Sequence, residues 1–290
     1  NDVGLINSGN GTNSTHLLAG HADLALGEWA RLGLSYVNAH NAHTQNELNN
    51  GNPFNGTLTL LQNQSLSKLW VRLRDDSPAD FQHGATLLAY DIVLTDTSGR
   101  ELRGSEIGFL PTVEGGISRG GALAADGAER ILIEYDLQAL DYEGVRSGAL
   151  RSAQIELDLA DDYRIETASN LQTDGSGRSA NPVFLTQRRA TGNVQDRSNT
   201  GLLSVDYGLP VASEIYGVDW NMPAWRGLSL LGELALNRRL WRYPNPSLKR
   251  QHQIAATAAA MYGQTTYRRY PYQLSIELFS MDDDYSSSYW

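Results

Sequence analysis

Period-two alternation of apolar and polar residues runs through most of this chain and limits what it can fold into. It is clearest in four segments, residues 69–73, 88–94, 131–137 and 153–159. Alternation of this kind places one face of a β-strand in a core and the other in water, and helical periodicity is weak throughout. The sequence therefore predicts an all-β fold made of antiparallel strands.

Composition excludes several classes of protein. The 290 residues are 41% hydrophobic, which is enough to bury a core, and they include no cysteine, so disulfides, thiolate metal sites and cysteine nucleophiles are excluded. With 23 basic and 33 acidic residues the net charge is −10, and the chain lacks the basic surplus that binding to phosphates requires. We expect no nucleic-acid partner. No run approaches 18 apolar residues, which excludes a transmembrane helix but not a transmembrane strand.

Charge and strand length divide the chain into four parts. Residues 1–55 are predicted to hold one or more strands and a polar loop, and residues 56–170 have the short strands and turn signals of a β-sandwich. Residues 61–170 contain ten basic and nineteen acidic residues, so the predicted sandwich carries −9. Residues 171–200 are rich in Ser, Gly, Asn and Arg and are predicted to be a linker with at most one strand, near Val183–Gln187. Residues 201–290 have no net charge and hold longer amphipathic strands.

The predicted strands of the C-terminal part are long enough to cross a bilayer. They cover Leu228–Trp241, Ile254–Tyr262 and Tyr272–Met281, and a tilted spanning strand needs about 9–11 residues. Residues 201–290 also hold 14 of the 25 aromatic residues, and these fall near the predicted strand ends. Aromatic rings at strand ends are typical of the interfacial girdles of membrane proteins.

Several of these segments resemble strands of bacterial outer-membrane β-barrel proteins, namely Arg31–His40, Asn199–Gly217, Glu233–Asn237 and Leu278–Tyr285. The middle of the chain resembles the jelly-roll sandwich of carbohydrate-binding modules. The barrel resemblance implies a closed antiparallel sheet that serves as a pore, receptor or secretion conduit. A single-chain barrel needs about eight strands, whereas four or five are visible, and the chain starts without Met. We therefore expect a fragment of a Gram-negative outer-membrane protein, with membrane lipid as its partner and glycans or other envelope proteins as further partners.

The barrel interpretation assigns side chains to two faces. Four polar residues are predicted to face the lumen, where they set the field and the selectivity without bond chemistry: Glu233, Asn237, Arg239 and Glu277. Five apolar residues are predicted to face lipid: Leu230, Leu234, Leu236, Leu274 and Ile276. The alternative is a large soluble antiparallel sheet with one wet face.

Two candidate ligand sites lie in the predicted sandwich. Asp75 and Asp76 begin an acidic turn that could supply oxygen ligands to a structural Ca²⁺, and the alternative is a polar turn without a metal. Trp70 points away from Leu69 and Val71, so its ring could stack on a sugar, or a neighbouring element could bury it.

Signals for catalysis are weak. Glu156 and Asp158 share one face of a strand, but nothing sets the separation that glycoside hydrolysis requires. His40 and His43 lack a third metal ligand, and no Gly-x-Ser-x-Gly sequence occurs. We therefore predict a non-enzymatic protein with no cofactor apart from the calcium near Asp75. The alternatives are a secreted carbohydrate-binding protein and a polysaccharide-active enzyme.

Overall fold

The computed structural model describes residues 13–43, 52–58, 60, 65–80, 82–172, 181–248, 251–282 and 284–285. Within these ranges the fold contains seventeen strands, three single-turn 3-10 segments and no α-helix. All ladders that join the strands are antiparallel. The all-β antiparallel prediction is confirmed.

Two of the three sheets form the sandwich. The first, sheet I, has the order β13-β10-β4-β8-β7 with β5 on β4, and its strands are β4 (Ala85–Asp96), β5 (Glu101–Arg103), β7 (Ile117–Arg119), β8 (Ala122–Ala125), β10 (Leu150–Ala160) and β13 (Gly201–Asp206). The second, sheet II, has the order β12-β11-β3-β9-β6, and its strands are β3 (Lys68–Asp75), β6 (Thr112–Gly115), β9 (Arg130–Asp136), β11 (Tyr163–Ser169) and β12 (Leu185–Arg189).

The inner faces of sheets I and II share one hydrophobic core. Every second residue of β3 and β9 is fully buried, including Leu69, Val71 and Ile133, and these residues belong to the same cluster as Ile92 of β4 and Ile155 of β10. Alternate residues of each strand point outward and are polar or charged, as the period of two requires.

The third sheet, the long-strand sheet, has the order β1-β2-β14-β15-β16-β17. Its strands are β1 (Asn13–Leu26), β2 (Ala30–His43), β14 (Leu209–Trp225), β15 (Leu228–Arg242), β16 (Gln253–Arg269) and β17 (Tyr272–Met281). Within the described ranges, β1 and β17 each pair on one side only, so the sheet is open and does not close into a barrel.

Strand bounds follow the sequence prediction closely in the C-terminal part. The strand predicted over Tyr272–Met281 has those bounds, whereas β16 extends well beyond the predicted Ile254–Tyr262. In β14 the register shifts between Met222 and Trp225, next to Pro223, which has no N–H to donate to a ladder.

Two short strands lie at the borders of the predicted division. The strand expected near Val183–Gln187 in the predicted linker corresponds to β12, which pairs with β11 in sheet II. Gly201–Asp206 begins the part predicted to hold the long strands, and it pairs with β10 in sheet I. Both are short strands that continue an existing sheet, and local composition does not reveal such a partner because the pairing is between residues distant in sequence.

The sandwich and the long-strand sheet are packed together at one end of the long strands, the sandwich end. Tyr207, between β13 and β14, is buried against Tyr243, which follows β15, with ring centroids 6.5 Å apart. Asn245 is 2% exposed, and its Nδ2 donates to the carbonyl oxygens of Gly148 and Leu150 in the sandwich. The hydrophobic core therefore continues from the sandwich into the long-strand sheet.

Replacing Asn245 tests this junction. Asn245→Ala leaves the carbonyls of Gly148 and Leu150 without a donor, so we expect it to lower the free energy of unfolding by about 1–3 kcal/mol. Asn193→Ala is the matched control, because Asn193 donates to Asp80 at an exposed site, and we expect a change within about 0.5 kcal/mol. Urea unfolding followed by tryptophan fluorescence measures both. Equal effects of the two variants on the free energy of unfolding would contradict the stabilising role of Asn245 at the junction.

Candidate membrane-facing surface

The register of the long-strand sheet assigns every side chain to one of two faces. Paired residues share a face, so the alignment of Val218 with Leu34 and Leu234, and of Leu234 with Met261, places these four side chains together. We call this the apolar face. The opposite face, which carries Asp219 and its partner Glu233, is the polar face.

The apolar face carries five consecutive rows without a charged residue in the described strands. The rows run from Leu236 to Leu228 along β15, and their members in β2, β14, β16 and β17 include Tyr36, Leu34, Leu32, Tyr216, Val218, Trp220, Met222, Trp225, Met261, Tyr267, Leu274, Ile276 and Leu278. Eight residue steps at about 3.4 Å span about 27 Å of strand, or about 21 Å of bilayer at a tilt near 40°. This height is close to the apolar band of outer-membrane barrels, about 25 Å.

Many of these side chains are open to their surroundings. Fifteen large apolar residues of this face are each more than a third exposed: Leu18, Leu24, Leu26, Leu34, Tyr216, Trp220, Trp225, Leu234, Leu236, Met261, Tyr267, Tyr272, Leu274, Ile276 and Leu278. Soluble monomers rarely expose contiguous apolar patches beyond a few hundred Å². An apolar face of this extent therefore requires an apolar environment or a covering partner.

A row of polar residues ends the apolar face toward the sandwich. Glu214 is 3% exposed, and its carboxylate accepts from Asn38 Nδ2 at 3.1 Å and from the hydroxyls of Tyr36 and Tyr216 at 3.2 and 3.3 Å. Arg238 Nη1 lies 3.4 Å from Glu214 Oε2 and completes the set of donors. Glu214, Asn38 and Arg238 form this row, which we call the polar row, and the two tyrosines reach it from the neighbouring apolar row. Sequence reasoning missed it, because its members come together only through the register of three strands.

At the other end the three hairpin turns carry aromatic side chains. We call this the turn end. Trp29 ends the first turn, Trp225 precedes the second, and Tyr270 lies in the third, with exposures of 58%, 54% and 98%. Tyr272 begins β17 and is 76% exposed. Aromatic residues therefore lie at both limits of the apolar face, as interfacial girdles do.

Trp220 packs over a glycine within the apolar face. A Cβ atom at Gly232, its partner on β15, would overlap the Trp220 ring. The absent side chain therefore makes room for the indole to lie across the neighbouring strand, as aromatic side chains commonly do over strand glycines.

All four residues predicted to face a lumen lie on the polar face, as the register shows for Glu233, Asn237, Arg239 and Glu277. Glu233 is exposed, and Glu277 accepts from Gln264 Nε2 at 2.8 Å. The five residues predicted to face lipid lie together on the apolar face. The two predicted sets of residues therefore lie on opposite faces of the sheet, and lumen and lipid as their surroundings remain predictions.

Two of these residues have contacts within the sheet. Asn237 is fully buried, and its Nδ2 donates across the strand pair to Ser213 Oγ and to the Glu214 carbonyl oxygen. Its position facing a lumen stays a prediction. Arg239 is partly buried, with its guanidinium 5.2 Å from the Trp241 ring centroid and 4.0 Å from Asp284.

The other charged residues level with the five rows are also on the polar face. Arg31 donates to both oxygens of Asp23, at 2.9 and 2.6 Å, and both residues pair with positions on the polar side of their neighbours. The polar face also carries exposed apolar side chains, among them Leu231 and Phe279. The two faces therefore differ in charge, because every charged residue level with the rows is on one face, as in barrel strands between water and lipid.

The predicted calcium ligands have other partners in the structure. Asp75 is 1% exposed, and its two oxygens accept from the backbone N–H groups of Ser77 and Gly127. Asp76 forms an ion pair with Arg189 at 2.7 Å. Across the described part of the chain, no three His, Asp or Glu side chains converge as a metal site would require. These contacts account for both carboxylates without a cation, and calcium binding stays a prediction.

Asp162 lies close to this turn and is an unusual carboxylate. It is 2% exposed, and its Oδ2 atom has no hydrogen-bond partner among the described residues. Burial raises the pKa of the Asp162 carboxyl, and the nearby carboxylates of Asp76 and Asp75 raise it further. Burial also raises the pKa of Asp75, although two backbone N–H groups oppose the shift.

The predicted sugar-stacking residue is held in place by a carboxylate. Trp70 lies on the outer face of sheet II and is half-buried, and its Nε1 donates to Glu134 Oε2 at 2.7 Å. Lys68 donates to the other oxygen, and these bonds lower the pKa of Glu134. Stacking on a sugar stays a prediction.

The strand carboxylates considered for catalysis are not arranged as a pair. Glu156 is bound by both terminal nitrogens of Arg103, at 2.7 and 2.9 Å, in a two-bond ion pair. Asp158 lies two residues further along β10 and pairs with positions in β4 and β13. The ion pair with Arg103 therefore accounts for the presence of a carboxylate at Glu156 without a catalytic role.

Comparison with known proteins does not assign the chain to a family. A scan against protein-family models finds no match to the chain, and a search of curated proteins finds none that is significantly similar. Among the described residues, no helix is both long and apolar enough to cross a membrane.

The raised pKa of Asp162 predicts a stabilising substitution. Because the folded-state pKa lies above the unfolded one, the folded protein binds more protons between the two values, and stability falls as pH rises through that window. Asp162→Asn stays neutral, so we expect a higher Tm than the wild type at pH 7 and convergence below about pH 4.

Asp76→Asn is the comparison variant, because it removes the ion pair with Arg189 together with a charge that repels Asp162. It should raise the Tm at pH 7 less than Asp162→Asn does. Thermal unfolding at a series of pH values measures both variants, and a lower Tm for Asp162→Asn at pH 7 would contradict the assignment.

Proposed function

We propose that this chain is part of a non-enzymatic outer-membrane β-barrel protein with a structural, binding or transport role. In this proposal the long-strand sheet crosses the bilayer and the sandwich lies outside it. The observation that carries the proposal is the five-row apolar face without a charge, limited by aromatic side chains at both ends. The charged residues level with these rows, among them Asp219 and Glu233, lie on the other face, and Glu214 and Arg238 lie just beyond the rows.

Lipid suits this face better than a protein partner does. Two of the rows, those of Leu234 and Gly232, are paired across all six strands, whereas a protein interface has a limited core and a polar rim. A bilayer accommodates such continuous rows, because its hydrocarbon layer has a uniform thickness. The polar row at the sandwich end then lies at the boundary between the hydrocarbon layer and the headgroup layer.

The open edges of the sheet also bear on the proposal. In lipid, backbone groups at an unpaired edge carry a cost of several kcal/mol each, so spanning sheets close. Six strands are fewer than the smallest single-chain barrels contain. The proposal therefore requires further strands to pair with β1 and β17.

Fractionation is the first test. We expect the full-length protein in the outer-membrane fraction, to be released by detergent, with gel migration that changes on heating. Recovery as a soluble protein would contradict the proposal and would favour the alternative of a secreted carbohydrate-binding protein. Retention on insoluble glycans would then be the next measurement.

A matched pair of substitutions tests which face of the long-strand sheet meets lipid. Leu234 and Leu231 lie on the same strand with exposures of 37% and 43%, but Leu234 is on the apolar face and Leu231 on the polar face. In lipid vesicles we expect Leu234→Arg to cost about 2–4 kcal/mol near the bilayer midplane. Leu231→Arg should cost less than about 1 kcal/mol, as lumen-side changes do. Similar effects of the two variants on unfolding in lipid would contradict the assignment.

A further inference from the structure

The connections at the two ends of the long-strand sheet differ greatly in length. At the turn end the hairpins are closed by residues 27–29, 226–227 and 270–271. At the sandwich end, β15 and β16 are joined by residues 243–252, and β2 and β14 by residues 44–208, which include the whole sandwich. All tight turns are therefore at one end and all long connections at the other.

From this asymmetry we infer that the turn end faces the periplasm and that the sandwich is displayed on the outside of the cell. The inference rests on the proposed function. Barrels of the bacterial outer membrane have short periplasmic turns and longer extracellular loops. The three turns of this sheet, of three, two and two residues, fit the periplasmic side, and a connection that holds a folded sandwich fits the outer side.

The side chains of the turn end support the same orientation. Arg226, Arg268 and Arg269 are exposed there, and the Arg226 guanidinium lies 5.1 Å from the Trp225 ring centroid. Arginine next to exposed aromatic rings suits a layer of phospholipid headgroups, where the guanidinium meets phosphate and the ring stays at the hydrocarbon boundary. The acidic sandwich, with its −9 charge over residues 61–170, lies at the opposite end.

The junction holds the sandwich at one end of the long-strand sheet. Tyr207 and Tyr243 are buried between the sandwich and the long-strand sheet, and Asn245 bonds to both carbonyls described above. The sandwich therefore cannot swing to the turn end, and the location of any sandwich residue reports the orientation of the whole sheet.

These 290 residues contain no cysteine, so each variant introduces the one thiol within them. Ser118→Cys places a thiol on an exposed position of β7 in the sandwich, and Glu28→Cys places one in the first turn. Tyr270→Cys, at a residue that is 98% exposed, is a second turn variant should the first fail to fold. The full-length protein, with any cysteine outside these residues replaced by serine, is expressed in a Gram-negative host and treated with a membrane-impermeant maleimide. The same protein without the introduced cysteine is the blank.

We expect intact cells to label Ser118→Cys, and to label Glu28→Cys and Tyr270→Cys only after the outer membrane is permeabilised. Labelling of the turn variants alone in outer-membrane-located protein would overturn the orientation and leave the proposed function standing. Two other outcomes overturn the inference. In one, all variants are labelled in intact cells. In the other, all are labelled only after permeabilisation and the protein is in the soluble fraction, which would overturn the proposed function as well.

Discussion

Antiparallel register across the six long strands determines which side chains meet. In this sheet β15 pairs with β16 over fifteen consecutive positions, from Leu228 with Tyr267 to Arg242 with Gln253. Because side chains alternate between faces, a slip of one residue would move Glu233 to the apolar side. The observed register keeps every charged residue that is level with the five apolar rows off the apolar face. The apolar face, the polar row and the aromatic ends all depend on it.

At the polar row the long-strand sheet changes from an exposed apolar face to a buried core shared with the sandwich. Glu214 is buried on the same face as the apolar rows, but it receives hydrogen bonds from Tyr36, Asn38 and Tyr216 and lies beside Arg238. A buried carboxylate is tolerated when donors surround it. Beyond this row the core of the sandwich begins, so the protein passes from an apolar exposed face to an enclosed hydrophobic core within a few residues.

Acidic residues of the sandwich mostly organise turns. Asp161, with a φ of 68°, accepts from Thr86 Oγ1 and the Arg197 N–H, while its own N–H donates to Asn199 Oδ1. Asp75 is used in the same way. The carboxylates that suggested metal binding or catalysis in the sequence are therefore partners of backbone groups and arginines. The strong negative charge of this region reflects its solvated outer faces and its turns.

The sequence alone determined the all-β class, the facing of residues such as Glu233 and Leu234, and the limits of β17, because each follows from local alternation with a period of two. It could not determine the partners of Gly201–Asp206 or of Leu185–Arg189, since a short strand has no local mark of the sheet that it joins. The polar row around Glu214 and the burial of Asn237 were likewise decided by the tertiary structure. Both depend on contacts between strands that are far apart in the chain, and those contacts exist only once the register is set.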